Sequence, residues 1–377
     1  MTSSSLPEQM KGLTLHKTAG DDWKPGPKTW HPIKVEELAV PTPKEDQILV
    51  QVLAAGFNHR DVFQRQSLYP GTIFHTDAVP SILGADAVGI VTSPSHPLSG
   101  KRVLVAPAVN WLSSPLGPDV PGKQFGILGS VKQSDGRGAY AEYVAVGKDD
   151  VIECPEHLTN EQAATVPLGC LTAYRAIFTK ANVKKGDNVL ITGIGGGVAI
   201  QALQFCVAAG ANVWVTSSSP DKVKRAQELG AKGGVNYKEG DASSADDWPK
   251  QLQKHLPSSR PYLDAVIDSG GGPIAAQTAR LLKDGGIIAC YGQTSGKPID
   301  VSMAVILKNI ELRGSTMGSR EEFFAAVKMV AELKIQPVVD SVLNGLEQAE
   351  EGFQLLKRGG QFGKVVINIA KDEPSKL

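Results

Sequence analysis

The spacing of apolar residues divides the chain into two kinds of sequence. Before about residue 155, short apolar runs such as 48–53, 89–91 and 102–105 lie between turns rich in Pro, Gly and Ser. Short runs bounded by such turns are typical of a β-rich domain. Residues 110–138 are irregular and rich in the same turn residues, which predicts a long loop or lobe.

After about residue 160, strand-like apolar runs alternate with helical periods. This alternation is typical of parallel strands joined by crossover helices. Six such strands predict a doubly wound parallel sheet, so the chain is assigned to the α/β class. The end of the chain adds a helix at 320–333 and a final strand at 363–369. The six runs are 189–192, 212–216, 234–237, 263–268, 286–292 and 310–314.

A cluster of glycines follows the first of these strands and opens the next helix. It contains Gly193, Gly196 and Gly197, followed by Val198, and Ala199 takes the third small position. Backbone N–H groups at a helix N-terminus bind a pyrophosphate, and glycine lets it approach closely. Inside a strand–loop–helix unit the cluster predicts dinucleotide binding, and a tight turn without a ligand is the alternative.

The end of the second strand indicates which dinucleotide is bound. Ser217 and Ser218 stand there, with no acid to hold a ribose 2′-hydroxyl. Asp221 comes later and is interpreted as the first-turn acid of a helix capped by the preceding serine. Hydroxyls and a lysine suit a 2′-phosphate, so NADPH is predicted, with Ser217, Ser218, Lys222 and Tyr237 among its binding residues. A solvated helix lysine is the alternative for Lys222.

Composition narrows the classes of partner. Lys and Arg number 39, and Asp and Glu number 39, so the formal net charge is zero. Binding to nucleic acid or to a membrane surface uses an excess of basic charge, so we expect neither partner. No apolar run reaches 18 residues, so no membrane span is predicted. The four cysteines form no Cys-x-x-Cys pair, which argues against a zinc ribbon or a disulfide framework.

The chain ends in Ser375, Lys376 and Leu377. A C-terminal Ser-Lys-Leu is an address that the peroxisomal import receptor reads. The residues before it, 370–374, are polar and charged and include a proline, as expected of an exposed tail. We therefore expect a peroxisomal protein, and a cytoplasmic one if the tripeptide is a coincidence.

Several motifs, in chain order, carry a resemblance to a known family. They are Gly56-Phe57-Asn58-His59-Arg60-Asp61, Leu83-Gly84-Ala85-Asp86, Leu171-Thr172-Ala173-Tyr174, the glycine cluster and Gly363-Lys364-Val365-Val366. Together they resemble the medium-chain dehydrogenase/reductase superfamily, and within it most closely the zinc-free quinone oxidoreductase branch. The resemblance implies a β-rich GroES-like catalytic domain interrupted by a Rossmann domain, with the active site in the cleft between them. It also implies a homodimer formed through the Rossmann domain.

On this basis the expected domain limits follow the change in sequence texture. The N-terminal part of the GroES-like domain is expected at 1–155, and the Rossmann domain at 156–305. A return segment at 306–369 completes the catalytic domain, and 370–377 forms the exposed tail with the targeting tripeptide.

Zinc-dependent members of the superfamily differ from this chain at the metal ligands. By comparison with them, Asn58 and Leu168 replace cysteines and Ala85 replaces a histidine. An amide, an isobutyl group and a methyl group cannot build a catalytic zinc site. The lobe at 110–138, which holds a structural zinc in those enzymes, contains no cysteine. We therefore expect no zinc.

Without a metal to polarise its oxygen, a substrate must already be electrophilic by conjugation. The expected small-molecule substrates are therefore quinones and α,β-unsaturated carbonyls, which accept hydride from NADPH at carbon. The charge that develops on oxygen needs hydrogen-bond donors, and Asn58 and Tyr69 are the catalytic candidates. Tyr69 stands where similar zinc-free enoyl thioester reductases carry a proton-donating tyrosine, and a loop tyrosine packed beside Pro70 is the alternative.

Two further functions stay open at this point. An enoyl-CoA-type thioester would suit a peroxisomal location, and an NADPH-binding or RNA-binding relative without turnover is the non-enzymatic alternative, against which the zero net charge argues. The resemblance and the positions at C-terminal strand ends add further cofactor-binding candidates. These are Gly270, Gly292, Gln293, Thr294, Met317, Phe362 and Lys364.

Overall fold

The computed structural model describes residues 6–20, 23–71, 74, 81–130, 134–238 and 247–370. The chain forms two compact units, one of residues 1–168 with 319–377 and one of residues 169–318. Both boundaries lie later in the chain than the expected limits at 155 and 305. The helix Asn160–Ala163 packs on strands of the first unit. The strand Glu311–Gly314 pairs within the sheet of the second unit, so it belongs there.

The first unit begins with β-strands, as the short apolar runs predict, and the structure pairs them antiparallel. The longest strand, β3 (Gln47–Gly56), is mainly apolar, and seven of its ten residues are buried. The elements up to residue 168 are β1 (Gln9–Leu15), β2 (Ile33–Ala39), β3 (Gln47–Gly56), α1 (His59–Arg65), β4 (Asp86–Val91), β5 (Arg102–Val105), β6 (Ala108–Val109), β7 (Gly126–Ile127), β8 (Tyr143–Gly147), β9 (Val151–Glu153) and α2 (Asn160–Ala163).

The second unit is the predicted doubly wound sheet. Its elements are α3 (Val166–Tyr174, whose first turn lies in the first unit), a π-helical stretch (Arg175–Lys180), β10 (Asn188–Ile191), α4 (Gly197–Ala208), β11 (Asn212–Ser217), α5 (Pro220–Glu228), β12 (Gly233–Asn236), α6 (Asp247–His255), β13 (Leu263–Asp268), α7 (Ile274–Thr278), β14 (Leu282–Cys290), α8 (Met303–Leu307) and β15 (Glu311–Gly314). All strand pairs are parallel, in the order β12-β11-β10-β13-β14-β15. This is the arrangement of a dinucleotide-binding sheet, so the fold prediction is confirmed.

The last segment returns to the first unit and completes its sheet. It contains α9 (Arg320–Glu332), β16 (Val339–Asn344), a 3-10 turn (Leu346–Gln348), α10 (Ala349–Arg358) and β17 (Lys364–Asn368). The completed sheet has the order β16-β17-β3-β4-β5-β9, and β8 also pairs with β3. Because β17 lies directly against β3, residues at opposite ends of the chain meet at the end of β3.

Three aromatic side chains fill the core next to the end of β3. The rings of Phe57 and Tyr140 lie 5.0 Å apart, and Phe353 of α10 stands edge-on to Phe57 at 5.3 Å. All three side chains are buried. They support the backbone where β3 passes into α1, which carries the candidate residue Asn58.

None of the helices within the described ranges has the length and apolar character needed to cross a membrane.

Candidate functional site

The turn from β3 into α1 places Asn58 at the start of a helix. Asn58 has an extended backbone (φ −133°, ψ 151°) and is the N-cap of α1. Its backbone N–H donates to the Asp61 carboxylate at 3.0 Å, which pairs an acid in the first turn with an unsatisfied donor of the helix end. The residue types of this turn therefore suit the start of a helix at this position.

Asn58 belongs to a buried polar cluster with Lys364 and Asp86. The Lys364 ammonium donates to Asn58 Oδ1 at 2.6 Å and to Asp86 Oδ2 at 2.7 Å. Asn58 Nδ2 donates to the same Asp86 oxygen at 2.9 Å, and Asp86 Oδ1 accepts from the Leu168 N–H at 2.6 Å. Asp86 is fully buried, and Lys364 and Asn58 are 5% and 8% exposed. The cluster thus contains one cation and one anion in contact, with a carboxamide bridging them.

A second buried group lies one helical turn along. Asp61 Oδ2 accepts from the Tyr140 hydroxyl at 2.9 Å, and Asp61 Oδ1 accepts from Arg60 Nη1 at 3.2 Å. Burial raises the pKa of Asp61, while Arg60, Tyr140 and the Asn58 amide oppose that rise. Burial also raises the pKa of Tyr140 well above its ordinary value, so this phenol keeps its proton. Asp61 and Tyr140 therefore hold the backbone of the site in place.

Tyr69 lies on the segment after α1 and is half-buried. Its ring stacks on the guanidinium of Arg60, 4.9 Å from the ring centroid. Two hydrogen bonds hold the Arg60 guanidinium, because Nη1 donates to Leu128 O at 3.2 Å and Nη2 donates to Ser130 Oγ at 2.9 Å. A fixed cation against the ring face holds the phenol by a cation–π contact.

The hydrogen bonds of the Asn58 side chain bear on its predicted catalytic role. The second hydrogen bond of the Asn58 carboxamide N–H group goes to Gly56 O at 3.3 Å. Both N–H groups of the Asn58 carboxamide thus donate to acceptors within the first unit, Asp86 and Gly56. The predicted catalytic role requires one of them to donate to the substrate or the cofactor. The roles of both residues in catalysis stay predictions.

In the second unit, the glycine cluster forms the loop between β10 and α4. Gly193 has φ 64°, a left-handed conformation that glycine adopts without strain. The loop is tied to the next strand, because Gly193 N donates to Thr216 Oγ1 at 3.2 Å and Ile194 N to Thr216 O at 2.8 Å. Gly196 caps α4, and Gly197 and Val198 form its first turn. N–H groups in the first turn of a helix are the donors that a pyrophosphate uses.

The residues predicted to select the dinucleotide lie at the carboxyl ends of β11 and β12. Ser217 is buried, and its hydroxyl accepts from the N–H of Ser219, which caps α5 as predicted. Lys222 stands in the first turns of α5, and Tyr237, 47% exposed, donates its backbone N–H to Ser217 O at 2.9 Å. The structure therefore brings Ser217, Ser218, Lys222 and Tyr237 to one edge of the sheet.

The other candidates of the second unit lie at the ends of β13 and β14. Asp268, which the sequence analysis did not single out, accepts from Thr192 Oγ1 at 2.5 Å and from the Gly271 N–H at 2.7 Å. Thr294 donates its backbone N–H and its hydroxyl to Ser269 O. These bonds tie three strand ends together around the glycine loop. Gly270, Gly292, Gln293 and Thr294 follow these strands, and Met317 lies further along, after β15.

Two of the cofactor-binding candidates belong to the first unit. Phe362 is buried, and its N–H donates to Asp340 Oδ1 at 2.7 Å. Lys364 points its ammonium into the buried cluster at the end of β3. The signal for that cluster was present in the sequence, because Asp86 and Lys364 are charged residues that begin largely apolar strands.

The side chains at the site bear on whether it could hold a metal ion. Within the described ranges, no group of three or more His, Cys, Asp or Glu side chains is arranged to hold a metal ion. At the positions compared with zinc-dependent enzymes, Asn58 contacts the Lys364 ammonium and Leu168 contributes only its backbone N–H. A carboxamide, a backbone N–H and an ammonium do not fit zinc, which takes thiolate, imidazole and carboxylate ligands.

Comparisons with known proteins agree with this architecture. The alcohol dehydrogenase GroES-like domain family matches residues 44–156, and the zinc-binding dehydrogenase family matches residues 197–332. A zinc-type alcohol dehydrogenase-like protein of Leptosphaeria maculans is 42% identical over 91% of this chain and 96% of its own length. An acryloyl-coenzyme A reductase of Sulfurisphaera tokodaii is 28% identical over 91% of this chain and 98% of its own. The crystal structure of an NAD-dependent alcohol dehydrogenase has a TM-score of 0.80 at 31% identity, covering 96% of this chain and all of that one.

Proposed function

The chain belongs to the medium-chain dehydrogenase/reductase superfamily, and from this premise we propose that it is a zinc-independent, NADPH-dependent reductase of conjugated carbonyl compounds. It is an oxidoreductase of that superfamily. The substrates proposed are quinones and α,β-unsaturated carbonyls, which accept a hydride at carbon while charge develops on oxygen.

The buried cluster of Lys364, Asp86 and Asn58 carries this proposal. A zinc dehydrogenase polarises its substrate oxygen with a metal ion. Here an ammonium with three hydrogen bonds contacts Asn58, which stands at one compared ligand position, and Asp86, which follows Ala85 at another. Chemistry that must proceed without a Lewis acid favours substrates in which conjugation already delocalises the developing charge.

Tyr69 is the proposed proton donor or oxyanion stabiliser. Its phenol is half-buried and is held by the Arg60 guanidinium. The Asn58 carboxamide, by contrast, already donates to Asp86 and Gly56. Among the described residues, the Tyr69 hydroxyl has no hydrogen-bond partner, so of the two candidates we propose Tyr69 as the donor and assign Asn58 a supporting role.

NADPH is proposed as the hydride source from the residues at the carboxyl ends of β11 and β12. Serine hydroxyls and Lys222 are ligands for a 2′-phosphate, and no acid stands at the end of β11 to prefer a 2′-hydroxyl. A similar solved structure is described as an NAD-dependent alcohol dehydrogenase. The preference for NADPH over NADH is therefore tested by comparing the Kd values of the two cofactors.

An enoyl-CoA-type thioester is the second candidate substrate. The observation that favours it is the similarity to two proteins named acryloyl-coenzyme A reductase, 28% and 27% identical to this chain over 91% and 89% of its length. An enoyl thioester is also a conjugated carbonyl, so the same hydride and proton transfers apply.

The proposed function is tested by following NADPH consumption with a 1,4-quinone, an alkenal, an enoyl-CoA and a simple ketone. We expect turnover of at least one conjugated substrate, insensitivity to a chelator, and no turnover of the ketone. Tyr69→Phe should lower kcat about a hundredfold, the lower range for loss of a general acid. Tyr143→Phe, which removes another half-buried phenol of the first unit, is the matched control. Oxidation of simple alcohols that depends on added zinc would refute the proposal.

We also propose a homodimer through the edge of the parallel sheet. β15 is an edge strand, and Leu312 on it is 41% exposed. The preceding helix exposes Met303, Ile306 and Leu307 at 61–75%. An open edge beside exposed apolar residues is normally covered. Light scattering should give a dimer mass, which Leu312→Asp reduces to a monomer, while Leu116→Asp, at a lobe residue 90% exposed, leaves it unchanged.

Peroxisomal location is proposed from Ser375, Lys376 and Leu377, which lie outside the described residues. A fluorescent protein fused to the N-terminus should enter peroxisomes, and deletion of the tripeptide should leave it in the cytoplasm. Unchanged location after the deletion would refute this assignment.

A further inference from the structure

A lysine ammonium lies inside the first unit where β17 begins. Lys364 is 5% exposed, and lysines this buried occur almost only when they are paired. β17 runs antiparallel to β3 with Val366 opposite Gly56, so Lys364 reaches the residues just after β3. Its contact with Asn58 joins residues 306 positions apart in the chain.

All three N–H bonds of this ammonium have acceptors within the first unit. They are directed to Phe57 O at 2.8 Å, Asn58 Oδ1 at 2.6 Å and Asp86 Oδ2 at 2.7 Å. An ammonium has three donors and no acceptor, so this arrangement uses its full capacity. None is left for another ligand while the cluster is intact.

The charges in the cluster determine the orientation of the Asn58 carboxamide. Its oxygen faces the Lys364 ammonium, and its nitrogen faces the Asp86 carboxylate at 2.9 Å. A flipped amide would turn its N–H group toward the cation and its oxygen toward the anion, and both contacts would be repulsive. The amide therefore has one allowed orientation.

The cluster is connected to Tyr69 through a continuous series of contacts. Lys364 and Asp86 hold the Asn58 side chain, and the Asn58 backbone N–H is bonded to Asp61 at 3.0 Å. Asp61 in turn accepts from Arg60, whose guanidinium lies against the ring of Tyr69. The start of α1 and the support of the phenol thus depend on the same cluster.

We propose that Lys364 is a positioning residue. Its ammonium is a cation built into the chain that holds the Asn58 carboxamide in one orientation and thereby sets the start of α1 and the place of Tyr69. This assignment replaces direct cofactor binding by the Lys364 side chain. Its kinetic consequence rests on the proposed function, whereas the orientation of Asn58 does not.

The test uses two variants in the full-length protein. Lys364→Met keeps the length of the side chain and removes its charge, which leaves Asp86 buried without a cation. We expect the melting temperature to fall by roughly 10 °C. Adding Asp86→Asn removes the unpaired anion and should restore most of that loss. Lys101→Met removes the lysine of a surface pair with Glu153, at 3.8 Å, and is the matched control with an unchanged melting temperature.

The decisive readouts are taken on the stabilised double variant. The Asn58 side-chain N–H signals, assigned by comparison with Asn58→Asp, should show slow hydrogen exchange in the wild type and fast exchange in the double variant. With a substrate found in the panel above, kcat should be about tenfold to a hundredfold lower, as expected when a reacting group is misplaced. The Kd for NADPH should stay within a factor of three in the same variant.

Two results would overturn the proposal. A double variant with wild-type kcat and unchanged Asn58 exchange would make Lys364 a structural residue only. A tenfold rise in the Kd for NADPH with unchanged kcat would make it a cofactor ligand. If no substrate of the panel is reduced, the proposed function fails, and the Asn58 signals and the NADPH Kd still decide the role of Lys364.

Discussion

Two regions of the first unit are each arranged around one charged side chain. In the buried cluster at the end of β3, the Lys364 ammonium holds a carboxylate, a carboxamide and a backbone carbonyl. In the lobe at 110–138, the exposed Asp119 carboxylate accepts hydrogen bonds from three consecutive backbone N–H groups of a loop. By resemblance, these are the two places where zinc-dependent members of the superfamily hold metal ions.

The lobe is held by backbone donors. Asp119 accepts from the N–H groups of Leu112, Ser113 and Ser114 at 2.6, 2.9 and 2.8 Å. Led by the bond from Leu112, these donors lower the pKa of Asp119 to about 2. Next to them, Trp111 is buried and its ring N–H donates to Ser114 O at 2.8 Å.

The difference between the two regions is the access of water. When a charged group is lost at the surface, water hydrates the donors that it held. When one partner of a buried ion pair is lost, the other is left without solvent or counter-ion, and the cost is much larger. The same kind of organisation should therefore give very unequal mutational effects.

The largest effect is expected for Asp86→Ala. The change leaves the Lys364 ammonium without its anionic partner and the Leu168 N–H without its acceptor in the interior. The free energy of unfolding should fall by about 3–5 kcal/mol, the range for breaking a buried ion pair. Urea unfolding measures this directly, and a loss below about 1 kcal/mol would contradict the view that the cluster is closed to water.

A single added methyl group gives the next test. A Cβ at Gly56 would lie 2.5 Å from Ala164 O and 2.9 Å from Asp86 Oδ2, so Gly56→Ala should cost about 1–3 kcal/mol. Gly117 in the lobe has no neighbour within 4 Å of that position, and Gly117→Ala should change stability by less than about 0.5 kcal/mol. Equal effects in urea unfolding would remove the contrast between the regions.

The lobe should respond to pH where Asp119 is protonated. Its folded pKa of about 2 lies below the unfolded value of about 3.9, so its stabilising contribution is complete above about pH 5 and is lost as the pH falls toward 2. Asp119→Asn should remove this part of the acid sensitivity and loosen the lobe slightly at neutral pH. Difference fluorescence between wild type and variant reports on Trp111, and identical acid profiles would refute the assignment.

The smallest effect is expected for the exposed pair of Lys101 and Glu153. Both side chains are more than half exposed and their charged atoms are 3.8 Å apart. Glu153→Ala should change the free energy of unfolding by about 0–1 kcal/mol, and added salt should reduce that difference further. A loss as large as that of Asp86→Ala would show that burial does not explain the contrast.

Much of the second unit could be predicted from the sequence because its signals are local. The six apolar runs became six parallel strands, and the glycines after the first became the loop before α4. Ser219 caps α5 and Pro220 follows it, as the residue types indicate. Each of these features depends on neighbours within a few positions of the chain.

The domain boundaries and the partners of the candidate residues were harder to predict. The strand Glu311–Gly314 belongs to the second unit because it pairs with β14, which a change in composition does not reveal. Lys364 and Asn58 were both expected near the cofactor or substrate, and the hydrogen bond that joins them in the structure was not predicted. A motif shows that a residue is placed at a site, but the direction of its side chain depends on every element packed around it.

The sequence by itself determined the class of the sheet, the position of the glycine loop and the absence of cysteines from the positions compared with zinc ligands. Only the tertiary structure decided that a lysine 278 residues beyond Asp86 would supply the cation of the buried cluster. The physical reason is range. Helical and strand periods and turn residues act over a few positions, whereas a buried charge is stable only where distant strands bring its partner into contact.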